Sequence, residues 1–212
     1  MPSMWSNHKV ANCPKPASSA ASAETQSAPF VCFVEKDSNE DESSFATNYG
    51  ISTREAVEQG KAVVDGGATK TLGSVVALEK IMRLNFERSG HSGVTNLDLQ
   101  DRPVFGFGNS SRDQCLSTAA LEVKADGQQG EVRVHALNKG EGPVLFSIES
   151  LRSLGAVIDF EHDLLVFRKL NDKKIIKLER SSTGHQLLPM TGDWFEQAKS
   201  SAHPVPGLDV FL

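Results

Sequence analysis

Apolar and polar positions divide this 212-residue chain into a front stretch without periodicity and a longer stretch of short periodic segments. Residues 1 to 48 carry no repeating pattern, and their longest apolar run is Phe30 to Val34. Ser52-Thr53-Arg54-Glu55 has the form of a capping box, which predicts a short helix starting there. Lys61-Ala62-Val63-Val64-Asp65 is a β-branched run that predicts a buried strand. From Ser74 to Ser89, Val75, Leu78, Met82 and Phe86 recur at helical spacing and Gly90 supplies a stop. That predicts a helix with Met82 and Phe86 in the core.

From residue 103 the pattern is mostly that of strands. Pro103 to Asn109 is short and glycine-rich. Ser117, Ala119, Leu121 and Val123 share one side of an alternating segment, and Asp126-Gly127 supplies a turn. Val132, Val134 and Ala136 alternate with Arg133 and His135 on the return, so 115–137 reads as a long hairpin with His135 at the surface or a strand edge. Pro143 to Ser147 reads as a buried strand running into a short helix, Ile148 to Leu154, stopped by Gly155. AVIDF and LLVFRKL pair across Glu161-His162-Asp163, and residues 173–190 offer one or two further strands. The expected domain is therefore 61–190, mainly β with two short helices. A polar tail, 191–212, follows it, with Trp194 and Phe195 docking back.

Composition changes this picture at the front of the chain. Residues 1–48 are Ser/Ala/Pro-rich and end in the acidic run Glu35 to Glu42. Such a segment buries too little apolar surface to offset its ordering entropy, so a disordered arm is expected. Net charge is −5 and no Lys/Arg-rich block stands out, which argues against nucleic acid as the main partner. No apolar run approaches the ~20 residues of a membrane helix, and no signal-peptide core opens the chain. Cys13, Cys32 and Cys115 form neither a disulfide framework nor a zinc pattern, and His8, His91, His135, His162, His185 and His203 show no metal spacing. The expectation is a soluble, intracellular, cytoplasmic protein without metal or cofactor.

Candidate chemistry concentrates in AVVDGGATK, residues 62–70, where a buried strand delivers Asp65 into Gly66-Gly67. Three readings fit this stretch: a catalytic aspartate, a phosphate cradle, or an ordinary turn, since Asp and Gly are common turn formers. No internal repeat and no second copy of the motif occurs.

Three features in fixed order sharpen the choice: the strand ending in Asp65-Gly66-Gly67-Ala68, the glycine-rich Phe105 to Asn109, and the strand–helix–strand unit from Leu145 to Phe160. In this order they resemble the retropepsin family of aspartic peptidases, which includes retroviral and retrotransposon proteases. The resemblance implies a closed β-barrel of the acid protease fold. It implies Asp65 as catalytic acid/base in a loop shaped by Gly66, Gly67, Ala68 and Thr69. Phe105, Gly106, Phe107, Gly108 and Asn109 would form a flap over a polypeptide substrate. With one such aspartate per chain, the dyad requires a homodimer with one Asp65 from each subunit.

Two positions depart from that family. Gly66 stands where the family has Thr or Ser, whose hydroxyl bonds across the dimer beneath the aspartates. Ser147 replaces a Gly. The first departure keeps a second function in view: a retropepsin-fold dimerisation or peptide-binding module that cleaves weakly or not at all. DGGATKT also resembles the first phosphate loop of sugar kinases of the actin-like superfamily. Length opposes that reading, because only 147 residues follow Asp65 and such kinases need two large lobes.

Overall fold

The computed structural model describes residues 50–108 and 110–212, so the expected disordered arm lies outside the described residues. The first helix, α1 (Thr53–Glu58), starts at Ser52, whose hydroxyl accepts from the Glu55 amide at 3.2 Å. The Ser52 amide donates to Glu55 Oε2 at 2.7 Å, completing the capping box. β1 (Lys61–Asp65) and β2 (Leu72–Ser74) flank the Gly-Gly loop. α2 (Val75–Ser89) follows at once, capped by the Ser74 hydroxyl on the Ala77 amide at 3.1 Å and ended by Gly90 in the left-handed region, φ 79°.

The helix buries Ala77, Leu78, Ile81 and Asn85, whereas Phe86 is 62% exposed and Met82 is half-buried. The expected core stripe through Met82 and Phe86 is therefore rotated. Both sets have helical spacing and share Leu78, so periodicity could not choose between them.

Next come β3 (Val94–Asp98), β4 (Val104–Gly106) and β5 (Arg112–Gln114). β6 (Ser117–Ala125) and β7 (Gln128–Leu137) pair in unbroken antiparallel register across Asp126-Gly127. Both turn residues have positive φ, 56° and 74°, as a two-residue hairpin loop of this twist requires. β8 (Val144–Ser147) leads into α3 (Ile148–Ser153), with Gly155 at φ 62° just beyond. β9 (Ala156–Asp159) and β10 (Leu164–Phe167) pair antiparallel as expected. The strand ends at Phe167, because Arg168–Asn171 forms a single helical turn, α4. β11 (Lys174–Lys177), β12 (Glu179–Arg180), β13 (Gln186–Pro189) and β14 (Lys199–Ser200) complete the set. The chain is mainly β, and of the four α-helices in the described residues α1 starts at the expected capping box while α2, α3 and α4 fall within 61–190, where two were expected.

Eight strands form one sheet in the order β12-β13-β1-β8-β2-β7-β6-β3. A second sheet runs β14-β11-β10-β9, and β4-β5 stand apart as a hairpin. The eight-stranded sheet ends at β12 and β3, which do not pair with each other, so the expected closed barrel is not formed. The second sheet packs onto the first through a shared core. Leu165, Phe167 and Ile176 of the second sheet join Phe146, Trp194 and Phe195 in the main core. β1 shows how the sheet divides two cores. Ala62 and Val64 enter the main core, while Val63 enters a smaller one with Ala56, Ala68, Leu72, Phe105, Cys115, Leu137, Leu145 and Leu187. α1 and residues 194–195 pack on these cores too, outside the 61–190 limits read from the pattern.

Candidate active site

β1 lies between β13, antiparallel, and β8, parallel, with Asp65 opposite Ser147 at the end of the ladder. A strand pinned on both sides delivers its last side chain to a defined place. Strand alternation puts Asp65 on the same face as Val63, the face of the smaller core. Asp65 Oδ1 accepts from the Gly67 amide at 2.7 Å and the Ala68 amide at 3.2 Å. Among the described residues, nothing donates a hydrogen bond to Oδ2. An Asx turn of this kind fixes the carboxylate while leaving one oxygen for other chemistry.

The other loop residues have distinct roles. Gly66 is exposed, and a Cβ built on it would meet nothing within 4 Å. Ala68 is fully buried and its carbonyl accepts from the Ile148 amide at 2.9 Å, tying the loop to the start of α3. Thr69 is half-buried.

Behind the loop sits a hydroxyl cluster that sequence reasoning missed. Thr71 and Ser147 are 3% and 0% exposed. Thr71 Oγ1 lies 3.1 Å from Ser147 Oγ and 2.8 Å from Ser150 Oγ, and it accepts from the Ser147 amide at 3.1 Å. Ser147 Oγ donates to Ser150 Oγ at 3.3 Å and caps α3 by accepting from the Ser150 amide at 3.2 Å. The Ser-x-x-Ser spacing before a helix signals the cap. No local signal could have found Thr71, 76 residues away from Ser147.

The segment read as a flap is a true hairpin at its base. Phe105 pairs with Asp113 and Gly106 with Arg112. Phe105 is 3% exposed and belongs to the smaller core with Ala68, so this hairpin and the Asp65 loop share a face. Phe107 packs partly on that core, and Gly108 is exposed at the turn. Asn109 lies outside the described residues.

His135, expected at the surface or a strand edge, is 5% exposed. β7 lies between β2 and β6, and its last four residues, Val134 to Leu137, are buried on both faces, whereas Glu131 and Arg133 earlier in the strand are exposed. The ring meets Thr118 Oγ1 through Nδ1 at 2.6 Å and packs against Phe105 with centroids 5.6 Å apart. Burial pushes its pKa below the ordinary value, opposed by Asp101.

A cavity of about 810 Å³ is lined by Lys70, Thr71, Asp101, His135, Glu149 and Trp194 among others, but not by Asp65. Among the described residues, no cluster of three or more His, Cys, Asp or Glu is placed to hold a metal ion, and no helix is long and apolar enough to cross a membrane.

No family model matches this chain, and no curated protein does. Among solved structures, the chain is similar to the retroviral protease-like domain of Ddi1 from Leishmania major. That match has 15% identity and a TM-score of 0.32, and covers 50% of this chain and 82% of the other. A likeness this distant assigns no role to any residue.

Proposed function

We propose that the chain is an aspartic endopeptidase of retroelement type, acting as a homodimer in which each subunit contributes one Asp65. The observation that carries this reading is the setting of Asp65. The carboxylate is held at a strand end by two loop amides through one oxygen, with the other oxygen free of donors among the described residues and exposed Gly66 beside it. A second copy could approach this loop without meeting a side chain at position 66.

The chemistry then follows from two carboxylates sharing one proton. Like charges about 3 Å apart do not both ionise, so such a pair holds one proton between them. The ionised partner takes a proton from water, and the protonated one donates to the scissile carbonyl. Gly67 and Ala68 hold the loop, and the hairpin residues Phe105 to Gly108 would lie over the bound polypeptide and limit water. This reaction uses neither metal nor cofactor.

Cleavage of an unstructured polypeptide at acidic pH tests the reading. Wild type should cleave and Asp65→Asn should lose cleavage; equal activity in both would sink the assignment. Sedimentation at micromolar concentration is the companion measurement, because a strict monomer cannot assemble the dyad. Gly66 favours a second reading, a dimerisation or peptide-binding module of the same fold. A dimer that binds polypeptide without cutting it would select that one.

A further inference from the structure

We propose that the ring of hydroxyls formed by Thr71, Ser147 and Ser150 is an internal brace for the Asp65 loop, doing within one subunit what a hydroxyl at position 66 would do between two. The proposal rests on the protease reading of Asp65.

Both ends of the loop are tied to one residue. Asp65, where the loop begins, is the ladder partner of Ser147. Thr71, where it ends, takes the Ser147 amide on its Oγ1 at 3.1 Å. The middle is tied one residue further on, where the Ile148 amide donates to the Ala68 carbonyl at 2.9 Å. Ser147 is therefore the post on which residues 65 to 71 are stretched.

One arrangement of protons satisfies every hydroxyl of the ring. Thr71 donates to Ser147, Ser147 to Ser150, and Ser150 back to Thr71. Thr71 Oγ1 then accepts from the Ser147 amide and Ser150; Ser147 Oγ accepts from Thr71 and the Ser150 amide. Each of these two oxygens uses its donor and both lone pairs. A closed ring with two buried members, Thr71 and Ser147, and a half-buried third, Ser150, polarises its members and resists distortion more than its separate bonds would. Gly66, by contrast, has no side chain to brace the loop and nothing within 4 Å of where a Cβ would stand. The ring also accounts for Ser147 as more than a helix cap.

The test compares Thr71→Val, which keeps the shape and removes the hydroxyl, with Thr71→Ser, which keeps the hydroxyl. Thr71→Val should lower kcat for polypeptide cleavage roughly ten- to a hundredfold with KM within about twofold, as loss of orientation does. Thr71→Ser should restore kcat. Ser150→Ala, which opens the ring but leaves the Ser147 amide paired, should fall between them and serves if Thr71→Val does not fold. Gly66→Thr should raise kcat more in the Thr71→Val background than in wild type, because the two braces act on one loop.

Hydrogen exchange at the Gly67 and Ala68 amides gives a readout independent of cleavage, and both should exchange faster in Thr71→Val. Unchanged exchange and unchanged kcat in Thr71→Val or Ser150→Ala would overturn the brace. So would an equal gain from Gly66→Thr in both backgrounds. Faster exchange in a chain that never cleaves would instead overturn the protease reading and leave the brace standing.

Discussion

At position 66 the backbone asks for nothing that glycine alone supplies. Gly66 lies outside the left-handed region, and open space surrounds the place of its missing Cβ. Gly66→Thr should therefore leave the unfolding free energy within about 0.5 kcal/mol of wild type in urea denaturation. In sedimentation it should shift the chain toward dimer. Gly73 is the opposite case. A Cβ there would lie 2.8 Å from Val144 Cγ2 and 3.1 Å from its Cα, where β2 crosses beside β8. Gly73→Ala should cost roughly 1–3 kcal/mol by the same measurement, because backbone must move.

His135 carries a prediction about pH. Burial lowers its pKa, Asp101 and Glu149 pull it up, and Lys70 and Arg133 push it down. With the folded value depressed, the unfolded chain binds the proton first as pH falls. This contribution is present above the ordinary histidine value of about 6.5 and is lost as pH drops through the folded one. Thermal melts from about pH 7 down to about pH 5 should show a steeper fall for wild type than for His135→Asn. A parallel pair of profiles would mean that His135 is not the group responsible. The burial that causes this was invisible in the alternating pattern, which cannot tell a strand wet on one face from one covered on both.

At the scale of elements, local signals worked where the partner lies within a turn. The capping box at Ser52–Glu55, the Asp126-Gly127 turn and the Gly90 and Gly155 stops all depend on neighbours a few residues away, and all are present. Ser74 adds a longer link, since its hydroxyl also donates to the Gly142 carbonyl at 2.7 Å. Ser74→Ala should cost about 1–2 kcal/mol in chemical denaturation, since the cap and this bond go together. The elements not read were β2, β3, β5, β14, α4 and the 3-10 turn Leu208–Phe211, of two to five residues, and 173–190 holds three strands, β11, β12 and β13, where one or two were expected. So short a strand carries no measurable period, and its existence depends on the ladder it joins.

On the scale of the whole molecule, residues beyond 190 are part of the core. Trp194 is 4% exposed, packs on Phe146 and Phe167 with centroids at 6.0 and 5.0 Å, and donates from Nε1 to the Pro189 carbonyl at 2.8 Å. Trp194→Ala should cost about 3–5 kcal/mol, seen as a large drop in Tm. Asp193 reinforces the same closure, accepting from the amides of Asp126, Gly127 and Phe195. Burial raises its pKa, but these amides outweigh burial and hold it below the usual carboxylate range.

By itself the sequence determined the strand that carries Asp65, the Gly-Gly loop after it, the long hairpin and the strand–helix–strand unit at 145–160. Each is written in neighbouring residues, through period, caps and turn formers. Only the tertiary structure decided that β1 and β8 run parallel with Asp65 opposite Ser147, that the large sheet stays open at β12 and β3, and that Thr71 closes a hydroxyl ring behind the loop. These contacts form between segments far apart in sequence, and no local pattern encodes which surface a segment will meet.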